Sequence, residues 1–250
     1  MRKCLSISKN LLPMKPVLIF EHIESSNAGL FADFLEKKSI PYATIRPNHG
    51  DAVPDKESLA EFSGLCFLGG TESVVEPTPE MLEEMTLIQA AAEKDLPLIG
   101  HCLGGQLISR ALGGEVVKHS VEEFGWSQLN TENSKESLEW LPQNEKDFCA
   151  MQWHSDTFSI PAEATMIFSG DHCLNQAFVI GNILAMQFHI EIDLKTIRQW
   201  AIDLKDKHPP PSASVQSGDL IMQQLEKNYE VSSQLANHLY NKWVTFLKSD

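Results

Sequence analysis

The chain has 250 residues, 42% of them hydrophobic, with a formal net charge of −14. This length supports a sizeable core in one domain. The acidic balance argues against nucleic acid or an anionic membrane as the main partner, because both attract basic patches. No apolar run in the sequence reaches the ~18 residues that a bilayer span needs. The five cysteines are an odd number without framework spacing, which is typical of the reducing cytoplasm, where we expect this protein.

The N-terminal half predicts strands that alternate with helices. Residues 1–15 are basic and lack a continuous apolar segment, so we expect a flexible arm, with Met14 as an alternative start to Met1. The segment 54–62 is predicted as a short helix or loop. Continuous apolar segments indicate buried strands, which we predict at 16–22, 42–46, 65–68 and 97–101. Helical spacing of apolar residues indicates helices, which we predict at 28–38, 78–94 and 103–112. This alternation predicts an α/β fold with a mostly parallel sheet covered by helices on both faces.

The C-terminal half has a different pattern, with short strands and little helix between them. We interpret it as a mixed, partly antiparallel extension of the same sheet, with strands at 115–119, 125–131, 148–152, 165–168 and 176–180. A buried strand at 182–189, a helix at 193–207 and a long amphipathic helix at 220–247 complete the pattern. The predicted division is an arm at 1–15, one α/β domain at 16–207, a linker at 208–218 rich in Pro and Ser, and a C-terminal helix at 219–250 packed on the same domain.

The stretch LPLIGHCLGGQLISRALGG, residues 96–114, places Cys102 between a strand and a helix. A cysteine on this sharp bend has its sulfur at the positive end of a helix, which favours the nucleophilic thiolate. The geometry is that of a nucleophile elbow, with sulfur in place of oxygen. Gly104 and Gly105 allow a close approach of the backbone, and Gln106 lies one helical turn after the nucleophile, on its side. The other cysteines lack such a setting.

A base for this nucleophile is predicted far along the chain, at His189. In an extended segment, residues two apart point to the same face, so Glu191 can hydrogen-bond the His189 ring. Cys102, His189 and Glu191 would then be nucleophile, base and the carboxylate that fixes the tautomer of the base. Histidines and cysteines elsewhere show no CxxC or HxxxH spacing, so no metal site is predicted.

The motifs GHCLGGQ, FGW, QWHSD and QFHIE, in this order, resemble the class I glutamine amidotransferase family, and in particular stand-alone proteins related to the glutaminase half of GMP synthase. The likeness covers roughly residues 16–200 and implies a flavodoxin-like sheet and no cofactor. The family usually has proline where this chain has Ile190. A β-branched residue also favours an extended backbone, so the geometry of the flanking pair should survive.

The resemblance also implies roles for further residues. The Gly69–Gly70 pair, which by itself fits a simple turn, would supply the Gly70 N–H to an oxyanion hole, together with the N–H of Leu103. Gly69 would line the substrate site with three other residues, namely Gln106, Trp153 and His154. For His154 a capping role in the following loop is an equal alternative.

The expected reaction is hydrolysis of the glutamine side-chain amide, or of a γ-glutamyl compound, through a thioester on Cys102. Three classes stay open: delivery of ammonia to a separate synthetase or acceptor protein, a stand-alone γ-glutamyl hydrolase or peptidase, and a non-catalytic binding module. The chain contains neither a P-loop nor an SGG-type pyrophosphatase loop, so any acceptor would be another protein. We expect a monomer or a homodimer.

Overall fold

The computed structural model describes residues 14–23, 28–143, 148–207 and 210–248, and for residues 205–207 only the backbone. The strands are β1 Val17–Phe20, β2 Tyr42–Ile45, β3 Gly64–Phe67, β4 Leu98–His101, β5 Val116–Thr131, β6 Phe148–Phe158, β7 Thr165–Ser169, β8 Ala177–Ile180 and β9 Ile183–Met186. The helices are α1 Gly29–Lys37, α2 Pro79–Glu93, α3 Leu103–Ala111, α4 Lys135–Trp140, α5 Leu194–Lys207, α6 Gly218–Gln223 and α7 Leu225–Val244. A single 3-10 turn, Ser58–Glu61, lies in the segment predicted as a short helix or loop.

One sheet contains all of these strands, in the order β2-β1-β3-β4-β9-β8-β7-β5-β6. The first five run parallel, and β8, β7, β5 and β6 each pair antiparallel with their neighbours. The α/β class, the mostly parallel sheet and its partly antiparallel extension are therefore confirmed. In this order β3, β4 and β9 are neighbours, so their carboxyl ends lie side by side.

The sheet separates two hydrophobic cores. Alternate side chains of β1 point to opposite faces: Val17 and Ile19 belong to the core with α1 and α7, whereas Leu18 and Phe20 belong to the core with α2 and α3. A third, smaller core lies between α5, α6 and the β5–β6 hairpin. Burial of both faces explains why the parallel strands are continuously apolar rather than alternating.

Four predicted strands were wrong in extent. The strands predicted at 115–119 and 125–131 form one strand, β5, whose pairing with β6 shifts register between Lys118 and Glu123. β6 continues through the QWHSD motif to Phe158, so this motif lies in a strand. β9 ends at Met186, three residues before His189, and the segment that follows is irregular. β5 and β6 extend past charged and polar residues because they pair with each other, whereas β9 is shorter than predicted.

The helices match the prediction more closely, with three differences. α2 begins at Pro79, with the Thr78 hydroxyl accepting a hydrogen bond from the Met81 N–H at 3.3 Å, but Leu82, which fits the apolar helical spacing of the sequence, is 51% exposed. The short helix α4 was not predicted. The single helix predicted at 220–247 is two helices, α6 and α7, with Gln224 between them. No helix in the described parts of the chain is long and apolar enough to cross a membrane.

The segment predicted as a linker contacts the domain in its described part, 210–218. Val215 is buried and forms an isolated bridge with Phe124, and the Gln216 side chain bonds the backbone of Trp126. The indole of Trp243 in α7 donates to the Leu98 carbonyl at 3.0 Å. Nearly all of the predicted arm, residues 1–13, lies outside the described residues, as do 208–209 and 249–250. The division into arm, domain, linker and helix stays a prediction.

Candidate active site

The predicted nucleophile, base and carboxylate lie together at the carboxyl ends of three neighbouring strands. Cys102 follows β4, His189 and Glu191 follow β9, and Gly69 follows β3. All three titratable side chains are buried, with exposed fractions of 5%, 3% and 3% in the order Cys102, His189, Glu191. The fold thus joins residues that are far apart in sequence.

Cys102 has a strained backbone, with φ 50° and ψ −109°. Left-handed φ is unfavourable for a side chain with a Cβ, and such conformations concentrate at functional sites. Two hydrogen bonds fix this bend: the Cys102 N–H donates to Met186 at 2.9 Å, and its carbonyl accepts from Gln106 at 3.0 Å. The bend turns the chain from β4 directly into α3.

The glycines after Cys102 allow α3 to lie very close to the sheet, as expected. A methyl group on Gly104 would lie 2.0 Å from the Phe67 carbonyl oxygen, and one on Gly105 would lie 2.3 Å from that of Met186. No side chain fits in either place, so the first turn of α3 packs against the ends of β3 and β9. This close packing sets the position of the Cys102 sulfur relative to both strands.

His189 has one ring nitrogen bonded and the other free among the described residues. Its Nδ1–H donates to Glu191 Oε1 at 2.6 Å, and Glu191 Oε2 accepts the backbone N–H of Ile190 at 3.0 Å. Nε2 is buried, and no described atom completes a hydrogen bond to it. The predicted contact of Glu191 with the His189 ring is present, although neither residue lies in a regular strand.

The side chains of Cys102 and His189 both lie close to Gly69. The point where a Gly69 Cβ would lie is 2.7 Å from Cε1 of His189 and 3.7 Å from Cβ of Cys102. Burial disfavours the imidazolium, but the charge of Glu191 and the neighbouring Cys102 outweigh it and raise the pKa of His189. Burial also disfavours the Glu191 carboxylate, yet His189 and then His101 lower the pKa of Glu191. The pair is therefore charged at neutral pH, with a proton available on Nε2.

Gly70 and Leu103, the residues predicted for the oxyanion hole, lie next to each other. A methyl group on Gly70 would be 2.8 Å from Cδ1 of Leu103, so the two residues are in contact across the site. Leu103 is the first residue of α3, and the first N–H groups of a helix have no partner within it.

Gln106 reaches the sulfur of Cys102 only through Gln187. The Gln106 amide donates to the Asp156 carbonyl at 3.2 Å and to the Gln187 side chain at 3.4 Å, and the Gln187 amide lies 3.9 Å from the Cys102 sulfur. Trp153 contacts the nucleophile directly through its backbone, because its carbonyl oxygen is 3.7 Å from that sulfur. Gln187 was missed in the sequence, although it lies two residues before His189.

His154 forms a second buried histidine–glutamate pair. Its Nε2 lies 2.9 Å from Glu123 Oε2, and its Nδ1 lies 3.0 Å from the Asp156 carbonyl oxygen. Gln176 donates to the same Glu123 oxygen at 3.0 Å. The predicted substrate-binding residue thus bonds protein groups behind the strand that carries Trp153.

One group of side chains has the donor types of a metal site. The ligand atoms of Glu123, His154 and Cys173 lie within 4.8 Å of one another, and all three residues are buried. However, Glu123 and His154 bond each other, and the Thr157 hydroxyl lies 3.1 Å from the Cys173 sulfur. Burial raises the pKa of the Cys173 thiol to about 11, which disfavours the thiolate that a metal needs. These contacts account for the group without an ion.

Two further aromatic contacts shape the site. The Trp200 ring meets the His189 ring edge-on, with centroids 5.0 Å apart, and Trp153 packs against Trp200 at 4.7 Å. Trp200 was not predicted as a site residue, since nothing in the sequence links α5 to the nucleophile. His101, next to Cys102, is fully buried and bonds the Tyr240 hydroxyl at 3.0 Å.

Comparison with known proteins finds related sequences. A family model described as glutamine amidotransferase class-I matches residues 26–204. One subunit of a glutamine-hydrolyzing GMP synthase from Sulfolobus acidocaldarius is 33% identical over 145 residues, which are 56% of this chain and 74% of that one. A glutamine-hydrolyzing GMP synthase from Clostridium botulinum is 30% identical over 158 residues, 62% of this chain. That match spans 28% of the longer enzyme.

Solved structures show the same fold over nearly the whole chain. A glutamine amido transferase from Methylobacillus flagellatus has a TM-score of 0.89 and 33% identity, and the match covers 95% of this chain and 97% of that one. A glutamine amidotransferase from Thermotoga maritima has a TM-score of 0.78 and 27% identity, over 92% and 98% of the two chains.

Proposed function

Since this chain belongs to the glutamine amidotransferase class-I family, we propose that it hydrolyses the side-chain amide of glutamine, or the equivalent amide of a γ-glutamyl compound, through a thioester on Cys102. The observation that carries this proposal is the strained bend at Cys102, beside a histidine whose other nitrogen is held by Glu191 at 2.6 Å. Activated cysteine nucleophiles need this combination of thiol, base and orienting carboxylate.

In the first half of the reaction, the Cys102 thiolate attacks the amide carbon and the carbonyl electron pair moves to oxygen. The N–H groups of Gly70 and Leu103 stabilise that oxyanion. When the intermediate collapses, the carbon–nitrogen bond breaks, and the proton on His189 Nε2 passes to the leaving nitrogen. Ammonia, or an amine, departs and a γ-glutamyl thioester remains. The raised pKa of His189 supports this role, because the ring carries the required proton at neutral pH.

In the second half, His189 accepts a proton from water, which attacks the thioester carbon. The carbon–sulfur bond breaks, glutamate is released, and thiolate and imidazolium are restored. Glu191 keeps the His189 proton on Nδ1, so that Nε2 faces the reacting atoms throughout. Trp153 would contact the bound substrate beside the sulfur, and Gln106 would support this side of the site through Gln187.

The direct test removes the sulfur. We expect Cys102→Ala and Cys102→Ser to lose measurable ammonia release from glutamine, while circular dichroism and the melting temperature stay close to wild type. Cys149→Ala is the matched control, because that cysteine lies on β6, is half-buried and takes no part in the proposed reaction. Near-wild-type turnover by Cys102→Ala would overturn the proposal.

We extend the proposal to a separate acceptor protein, because the Sulfolobus acidocaldarius relative is named as one subunit of its enzyme. Ammonia release by the purified chain alone, unchanged by cell extract, would favour the stand-alone γ-glutamyl hydrolase. Release that rises strongly with extract would favour a synthetase partner. A glutamine-like electrophile that fails to label Cys102 would favour the non-catalytic binding module.

A further inference from the structure

Glu72 has a buried carboxylate oxygen without a hydrogen-bond donor. This residue lies in the loop after Gly69–Gly70, and its Oε1 accepts a bond from the Asn48 amide at 3.3 Å. Its Oε2 is buried and has no partner among the described residues. A buried charged oxygen without a donor is costly, so such an atom calls for a specific explanation.

This oxygen lies beside the proposed oxyanion hole. The point where a Gly70 Cβ would lie is 3.2 Å from Glu72 Oε2 and 2.8 Å from Cδ1 of Leu103. Gly70 therefore adjoins the Glu72 carboxylate directly, and Leu103 lies against the same glycine. If the substrate amide lies between the N–H groups of Gly70 and Leu103, other parts of the same substrate molecule would lie close to Glu72 Oε2.

The basic side chains that lie nearby in the described chain are engaged elsewhere. His22, which also contacts the Gly70 position, directs its ring nitrogens to the Leu68 carbonyl and to Glu84. Arg46 binds Glu21. Arg110, at the end of α3, donates to the carbonyls of residues 74 and 75. Among the residues that the structure describes, none supplies a cation to Glu72 Oε2, so a ligand can take this role.

We propose that Glu72 binds an ammonium group of the substrate and so selects amides that carry one. This rests on the proposed γ-glutamyl hydrolysis. An ammonium offers the charged N–H donors that the buried Oε2 lacks. The group has two sources: the α-ammonium of the glutamyl part, or an ammonium on the amine that leaves. Glu72 would determine specificity and take no part in the proton transfers.

The test measures binding by titration calorimetry in the Cys102→Ser background, so that it does not depend on turnover. The probes are glutamine, glutaramate (which lacks the α-ammonium), and the γ-glutamyl amides of diaminobutane and of butylamine. We expect Glu72→Gln to raise Kd about tenfold or more for each probe whose ammonium it contacts, the usual size for a charge-assisted bond. Glu76→Gln is the matched control, since it removes an exposed carboxylate from the same loop.

The pattern of losses identifies the ammonium. Weaker binding of glutamine and both amides, with glutaramate unchanged, assigns the α-ammonium. Weaker binding of the diaminobutane amide alone assigns the leaving side. Three results would overturn the role of Glu72. These are equal losses of affinity for every probe including glutaramate, no loss for any probe, or no measurable binding by the Cys102→Ser protein with or without Glu72→Gln. Failure of the Cys102-containing chain to hydrolyse these amides would instead overturn the proposed reaction.

Discussion

The protonation state of a buried histidine is set by the group that holds its second nitrogen. In this site, Glu191 accepts two donors at once, one from His189 and one from the backbone of Ile190. A carboxylate offers two acceptor oxygens, whereas an amide offers one acceptor and one donor. The geometry therefore specifies a carboxylate at this position, independently of its charge.

Glu191→Gln should lower kcat for glutamine by roughly 100-fold or more, the usual scale for general acid–base catalysis. In this variant the side-chain amide has two possible orientations. In one, its N–H group faces the Ile190 N–H, so two donors oppose each other. In the other, it donates to His189 Nδ1, so that Nε2 carries the only proton of the ring. Steady-state ammonia release measures the effect. Glu84→Gln is the control, because Glu84 holds His22 in a comparable buried pair at 2.9 Å. Equal losses in the two variants would contradict a specific role for Glu191.

Ile190 illustrates how a departure from the pattern of the family can be accommodated. Proline, the usual residue at this position, has no N–H and could not donate to Glu191 Oε2. Ile190 makes that bond at 3.0 Å, and its side chain is buried in the core beside α7. In this chain, Glu191 is held by a backbone donor as well as by His189.

At the scale of elements, α7 supports the site from behind the sheet. Its Tyr240 hydroxyl bonds His101, the residue before the nucleophile, and its Trp243 indole bonds the backbone of β4. Both contacts are fully buried and join residues more than a hundred positions apart. β4, which ends immediately before Cys102, is thus fixed on one face by α7 and on the other by α3.

Tyr240→Phe should lower the free energy of unfolding by about 1–3 kcal/mol, because it leaves the buried His101 nitrogen without its partner. Urea denaturation monitored by tryptophan fluorescence measures this change. Tyr42→Phe removes an exposed hydroxyl bond to Glu36 and should change stability by less than about 0.5 kcal/mol. A Tyr240→Phe protein as stable as the Tyr42→Phe protein would show that the His101 contact contributes nothing.

The sequence predicted elements well where one local signal dominates. Helical spacing specified α2 to within one residue at each end, and the glycines after Cys102 specified how closely α3 approaches the sheet. Local signals failed to predict the extent of a strand where pairing with a strand distant in sequence decides it. β5 continues through an irregular pairing because β6 lies beside it, and β9 ends before its predicted end. For the same reason, Gln187, Trp200 and Glu72 could not be placed, since their roles depend on neighbours distant in sequence.

At the scale of the whole molecule, three buried groups make stability depend on pH. Burial lowers the pKa of His101 to about 4, so stability falls as pH drops below about 6.5 and the unfolded histidine takes up a proton. His189 has its pKa raised to about 10, so its contribution is complete below about 6.5 and is lost as pH rises toward 10. Glu191, lowered to about 2, loses its contribution only below about pH 4.3.

These opposite slopes predict maximal stability near pH 6.5, and two variants separate them. Relative to wild type, His101→Gln should lose less stability between pH 6.5 and 4.5, because no buried imidazole remains to be protonated on unfolding. Glu191→Gln should lose less between pH 6.5 and 8.5, because the charge that raises the pKa of His189 is gone.

Burial also raises the pKa of Cys149, to about 12, so thiol ionisation adds to the loss only at higher pH. Urea titrations at these three pH values measure each slope as a difference from wild type, in which the other ionisable groups cancel. Parallel curves for wild type and both variants would show that these groups ionise alike in the folded and unfolded chain.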